Sequence, residues 1–209
     1  MNKKRLLTLM GGWKTFDITY TPTTTTVVDT YLRSDNTTGN YETATSIFIG
    51  GSNTSTNVYR SLFKFDLSGI PTKSKIVSAT LSLYVDGDYS NNEIIIRVYR
   101  LKRNVIYTQA TWNSYATGSD WATAGGFGAD DCEQTDIGSR TMSATEANGY
   151  KDFELTPAAV EAWIAGTFTN NGFFLKADTE TDDAYRVTTE NNETTAQHPK
   201  LRIVYKAPF

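Results

Sequence analysis

Between Ile76 and Val85 the apolar side chains fall at every second position. Ala79, Leu81, Leu83 and Val85 alternate with Thr80, Ser82 and Tyr84. A period of two belongs to a strand with one dry and one wet face, and it is incompatible with the 3.6-residue repeat of a helix. The same beat returns at Phe63, Phe65 and Leu67, with Lys64 and Asp66 between them. Further strands are expected at Val27–Leu32, Ser46–Ile49, Ile94–Leu101, Tyr150–Leu155, Gly172–Ala177, Ala184–Thr188 and Lys200–Tyr205. The chain holds 33 Thr, whose branched side chains suit a pleated, half-wet surface and reinforce that reading.

One helix interrupts the pattern. Thr156 offers an N-cap oxygen, Pro157 suits the first helical position, and Gly166 can close the end. Val160, Trp163 and Ile164 share a face of this short segment, which is expected to plug an open end of the body. Asp86-Gly87-Asp88 and Asn91-Asn92 mark the turn of a hairpin joining the strands on either side. Many short strands and one helix predict an all-β protein: an antiparallel β-sandwich, a jelly roll, with one short helix and an extended N-terminal arm. Residues 1–26 are read as that arm and a Thr-rich linker, and residues 27–209 as a single sandwich domain, a size one core can fill.

Composition narrows the function classes. A charged fraction of 21% and aromatics at 12% fit neither a disordered chain nor a membrane-embedded one. A net charge of −3 creates no field that would recruit nucleic acid. Lys3, Lys4 and Arg5 precede a short apolar run from Leu6 to Met10, but Gly11, Gly12 and Lys14 break it. It therefore reads as neither a secretory leader nor a membrane span. Synthesis in the cytoplasm without general export is expected. Cys132 is the only cysteine, so no internal disulfide forms, and it is expected to be inert.

Several patterns in order along the body resemble one family. They are DTYLRSDNTTGNY at 29–41, RSLFKFDLSGIP at 60–71 with IVSATLSLYV at 76–85, and ATWNSYATGSDWATAGG at 110–126. DFELTPAAVEAWIAG at 152–166, NNGFFLKA at 170–177 and HPKLRIVY at 198–205 complete the set. Together they resemble the DNRLRE or disaggregatase-related domains, jelly-roll modules similar to carbohydrate-binding modules. Glu42 departs from the pattern, since a Gly usually follows the Asn-Tyr pair. The resemblance implies a β-sandwich found on cell-surface, polysaccharide-degrading or phage virion proteins. It leaves room for one structural calcium without naming its ligands, and requires no cofactor.

No catalytic constellation stands out. The acidic run Asp86 to Glu93 lacks the EF-hand glycine and twelfth-position acid, and Asp178, Glu180, Asp182 and Asp183 read as a solvated loop. His198, beside Pro199, reads as a turn residue, and no pair of carboxylates is singled out for glycoside cleavage. A non-enzymatic protein is expected. Aromatic faces pack well against sugar C–H groups, so Tyr41, Trp112, Tyr115 and Trp121 are the candidate glycan-binding residues, although Trp112 and Trp121 would equally fasten the long connection onto the body.

Two functions are weighed. The first is a virion structural protein, a decoration, head-fibre or tail-associated module at the virion surface. Its arm residues Leu6, Leu7, Leu9, Met10 and Trp13 would dock on other protein subunits of a capsid or tail, with or without homo-oligomerisation. Weak polysaccharide binding would accompany it, without nucleic acid or membrane insertion. The alternative is a free carbohydrate-binding module or cell-surface adhesin binding a polysaccharide, with Arg33, Arg60 and Arg97 available should it be an acidic one.

Overall fold

The computed structural model describes residues 12–52 and 54–208. Thirteen strands run in the order β1 (Trp13–Tyr20), β2 (Val27–Arg33), β3 (Ser46–Gly51), β4 (Val58–Phe65), β5 (Lys75–Asp88), β6 (Ile94–Arg100), β7 (Ser114–Ala116), β8 (Ser119–Asp120), β9 (Gly138–Met142) and β10 (Gly149–Leu155). Helix α1 (Pro157–Ile164) follows, then β11 (Phe173–Ala177), β12 (Ala184–Thr188) and β13 (Lys200–Pro208). All pairings are antiparallel, as the alternating patterns require.

The expectation of two separate facing sheets needs correction. Eight strands pair in a closed circuit, β5-β10-β9-β6-β11-β4-β3-β12 and back to β5, giving a barrel-like wall. β13 and β1 extend it beyond β5, and β2 lies along β4. Closure follows from two forked strands. One edge of β5 pairs with β13 and then with β12, while β4 pairs with both β11 and β3. Glycine permits the sharp corners. At Gly50 (φ 124°) a Cβ would lie 2.1 Å from the Asp183 carbonyl oxygen, where β3 leaves β12 for β4. At Gly138 a Cβ would lie 2.5 Å from the Glu154 oxygen, where β9 bends from β6 to meet β10.

The expected hairpin between β5 and β6 is also corrected, because these strands do not pair with each other. The turn crosses from one wall to the opposite one. Asp183 anchors it by accepting the Asn91 and Asn92 backbone N–H groups at 2.6 and 2.8 Å.

The expected arm is partly body. Residues 13–20 form β1 and pair along their full length with β13, from Trp13 opposite Pro208 to Tyr20 opposite Leu201. Phe16 stacks on Tyr205 at 5.0 Å, and Phe16 and Ile18 pack against the core. The Thr-rich linker is a closed turn, in which Thr24 and Thr25 donate N–H bonds to the Thr21 carbonyl. Trp13 is half exposed at the outer end of β1. Leu6, Leu7, Leu9 and Met10 lie outside the described residues.

The barrel interior is filled by the inward residues of the alternating strands, among them Phe63, Phe65, Leu81, Leu83, Phe153, Phe173 and Tyr185. Helix α1 packs Val160, Trp163 and Ile164 against this core, with Trp163 edge-on to Phe173 at 4.9 Å. Thr156 occupies the N-cap position with extended backbone, but its hydroxyl makes no cap hydrogen bond; Pro157 removes one orphan N–H instead.

A second, smaller core lies outside the barrel wall. Leu32, Leu62, Tyr99, Leu101 and Phe174 point outward from β2, β4, β6 and β11, and are covered by Val105, Tyr107, Ala110, Trp121 and Cys132 of the long connection. Adjacent residues such as Leu62 and Phe63, or Phe173 and Phe174, are therefore both buried, one on each side of the wall.

Candidate functional site

The connection from Lys102 to Asp136 is long and largely irregular, so its backbone groups need partners that a sheet would otherwise supply. The Asp131 side chain serves two of them and one side chain. Its fully buried carboxylate accepts the N–H groups of Ala122 and Thr123, each at 2.9 Å, and the Arg103 Nε at 3.0 Å. Burial alone would raise this carboxyl; the two backbone donors and Arg103 outweigh it and hold it below its usual range. Trp121 is buried too, its indole N–H donating to the Thr111 carbonyl at 2.9 Å while its ring meets Tyr115 at 5.6 Å.

The connection is also tied to the loop after β2. Asn40 donates both amide hydrogens, to the carbonyls of Tyr107 and Ala110, each at 2.7 Å. The Asn113 N–H reaches the Thr37 carbonyl at 3.2 Å. Between loop and connection lies a cleft of about 570 Å³, lined by Thr38, Asn40, Gln109, Asn113, Thr117, Asp120 and Trp121. Its walls are fixed by their own bonds: Gln109 Oε1 accepts the Thr117 N–H at 3.0 Å, and the Ser114 hydroxyl donates to Asp120 at 2.6 Å. The Gln109 amide N–H₂ and the Asn113 side-chain amide remain to face the cleft. Such a lining is uncharged apart from Asp120, rich in hydrogen-bonding groups, and preorganised.

The aromatics expected to bind glycan separate into two groups. Trp112, Tyr115 and Trp121 gather over the outer core. Trp121 is buried, and guanidinium groups stand over the other two rings, Arg60 at 5.1 Å from Trp112 and Arg103 at 5.4 Å from Tyr115. Tyr41 belongs elsewhere. It meets Tyr31 at 4.8 Å in a row that continues through Tyr59 and Phe48 to Tyr89, with Arg33 lodged among the first three tyrosines.

The three arginines considered for an acidic polysaccharide are all engaged. Arg33 pairs with Asp35, Arg60 with Glu180, and Arg97 with Asp178 and Asp136. The two acidic runs are largely used the same way, Asp86 pairing with Arg186 and Asp183 capping the Asn91 turn. Among the described residues no group of three or more His, Cys, Asp or Glu side chains is placed to hold a metal ion, and no helix is long and apolar enough to cross a membrane. Cys132 is fully buried, and burial pushes its thiol up. His198 is buried beneath a largely exposed turn, its Nε2 2.7 Å from the Asn192 carbonyl.

Sequence reasoning missed Thr38, Gln109 and Asn113. They are isolated polar residues in loops, and only the fold brings positions some 70 residues apart together; Asn40 was visible solely as part of the Asn-Tyr pair.

The molecule is a barrel-like all-β body with a polar cleft carried on its loops, outside the core. A sequence profile for the Disaggregatase related repeat domain matches residues 29–203, and the chain belongs to that family. No curated protein matches it.

Proposed function

We propose that the chain is a non-enzymatic carbohydrate-binding module, and that the cleft between the loop after β2 and the long connection receives an uncharged segment of a polysaccharide. The observation that carries this is the lining: amides and hydroxyls in rigid positions, with one carboxylate and no free cation. Sugar hydroxyls are matched by such groups. Membership of a disaggregatase-related family supports a carbohydrate-binding-like role. Burial of Cys132 and His198 supports binding rather than catalysis.

Glycan arrays followed by calorimetry test the reading. Neutral polysaccharides bind, and Asn113→Ala weakens binding up to about tenfold while leaving the unfolding midpoint in place, since one lost hydrogen bond to a ligand is worth roughly 0.5–1.5 kcal/mol; Gln109→Ala weakens binding as much and also lowers the midpoint slightly, because it loses the bond to the Thr117 N–H. Binding that is confined to acidic glycans and indifferent to both substitutions would refute it.

A finer reading places the module on a virion surface, as a decoration, head-fibre or tail-associated protein, with a jelly-roll ancestry for its barrel. One observation favours attachment at a single point: Trp13 and Pro208 are paired, so both ends of the body leave from the same corner. Because β1 is already taken up by β13, the anchoring role falls to Leu6, Leu7, Leu9 and Met10. Changing these four to Ser should abolish incorporation into particles without altering the fold of the body; unchanged incorporation would remove the reading.

A further inference from the structure

Asp29 lies in the middle of β2 opposite Phe63, so its side chain is on the core side of the strand, where it is fully buried. Its Oδ2 accepts the Glu190 backbone N–H at 2.9 Å, and its Oδ1 has no donor. Glu190, just beyond β12, is half-buried, and its Oε2 is likewise shut off from water without a donor. The two carboxyl groups are within hydrogen-bond reach of each other. Among the described residues neither enters an ion pair, nor does the neighbouring Glu42. Two carboxylates in contact away from water repel each other and lack donors. One proton removes both faults, since it cancels a charge and supplies a strong O–H···O⁻ bond.

The contact sits where two segments are joined. The Thr189 hydroxyl donates to the Ala44 carbonyl at 2.6 Å, and the Asn191 and Asn192 amides donate to the Glu42 and Thr45 carbonyls at 2.7 and 3.2 Å. Residues 189–192 are thus tied to the loop after β2, and among them Glu190 reaches β2 itself. The same loop lines the polar cleft at Thr38 and Asn40.

We propose that Asp29 and Glu190 share a single proton, held on Asp29 and donated to the Glu190 carboxylate, and that this acid pair is a pH-sensitive latch fastening residues 189–192, and with them the loop after β2, to β2. The titratable groups around it are Glu42, His198, the buried Tyr107 hydroxyl, and Asp66 in the cleft that Glu190 also lines. Glu42 opposes ionisation of both members, while His198 favours a charge on Glu190, which leaves the proton with Asp29. Burial first, then the charge and bond of Glu190, raise Asp29 well above the ordinary carboxylate range; burial raises Glu190 too, against the pull of the Asp29 bond. The latch therefore stabilises fully below the unfolded values of roughly 4, and its contribution is lost as pH rises through the raised folded value.

The full chain is unfolded thermally at a series of pH values, from the ordinary carboxylate range into mild alkali. Asparagine at position 29 reproduces the protonated acid: its carbonyl accepts the Glu190 N–H, its amide donates to the carboxylate, and it cannot ionise. As pH rises, the wild-type midpoint falls by a few degrees more than that of Asp29→Asn. Every other titratable group is common to the two proteins, so the difference isolates the pair. Infrared spectra of the wild type show a protonated-carboxyl C=O band that persists after exposed acids have ionised, and Glu190→Gln shifts or removes it. Parallel pH profiles for wild type and Asp29→Asn overturn the proposal, as does a missing band or one that Glu190→Gln leaves unchanged. Should Asp29→Asn fail to fold, the infrared band decides.

Discussion

Two rows of residues, one on each wall of the barrel, are built on the same antiparallel register and end in opposite chemistry. On one wall Thr30, Leu62, Phe174 and Tyr99 stand directly across from one another on β2, β4, β11 and β6. On the other, Arg202, Thr80 and Glu154 do so on β13, β5 and β10. The first row is buried under the long connection; the second faces water, with Asp17 paired to Arg202 and the Thr80 hydroxyl bonded to Glu154. An extra layer is thus attached to one side only. That layer carries the cleft, so one wall bears the proposed binding site and the other is a solvated face of the scaffold.

If this contrast is correct, substitutions on the covered wall cost far more than those on the bare one. Phe174→Ala is the largest. It removes a fully buried ring from beneath the connection and should lower stability by about 3–5 kcal/mol in denaturant titration. A loss below about 1 kcal/mol would mean that the connection does not press on the wall. Asp131→Asn comes next, because it replaces one acceptor of three hydrogen bonds with a group that turns a donor toward other donors. About 1.5–3 kcal/mol is expected near neutral pH. The sign of its pH dependence is fixed by the depressed carboxyl: the stabilisation is complete above the unfolded value of about 3.9 and disappears as pH falls through the lower folded value. The gap between wild type and variant should therefore close in acid.

How much of this was readable from the chain depends on whether the signal was local. β5, with its strict alternation, was legible because one wet face imposes a period of two, and β4 was legible through the beat of Phe63, Lys64 and Phe65. Residues 13–20 carried the same signal in Phe16, Ile18 and Tyr20, alternating with Asp17 and Thr19, but the basic residues ahead of them drew the segment into an arm. The burial of the wall on both sides was missed, although the doubled apolar pairs Leu62-Phe63 and Phe173-Phe174 were its local sign. Closure of the barrel was not legible, because it depends on forked pairings of β4 and β5 that no local pattern encodes. In the site, the tryptophans identified the connection correctly, yet they serve its attachment more than its surface. The cleft's amides, and the Asp29–Glu190 contact, arise from positions distant in sequence.

Removal of residues 1–20 sharpens the comparison at the edge of the bare wall. The truncation uncovers β13 and forfeits the Phe16–Tyr205 and Ile18–Ile203 cross-strand pairs. At roughly 0.2–1 kcal/mol for each pair, a loss of about 1–2 kcal/mol is expected, with the body still folded. Collapse of the fold would show that β1 belongs to the barrel's essential circuit rather than to its margin.

The smallest effect should come from Arg202→Gln. Its guanidinium holds Asp17 through two hydrogen bonds and depresses that carboxyl, but both side chains are about half exposed and the pair stands in water. Solvent screening leaves such pairs little net effect on stability, and added salt removes the remainder. The unfolding midpoint of the variant should coincide with that of the wild type at high ionic strength and differ barely at low. A clear drop that persists in salt would show the bare wall to be held by its charged ladder, and the contrast between the two walls would then be one of degree.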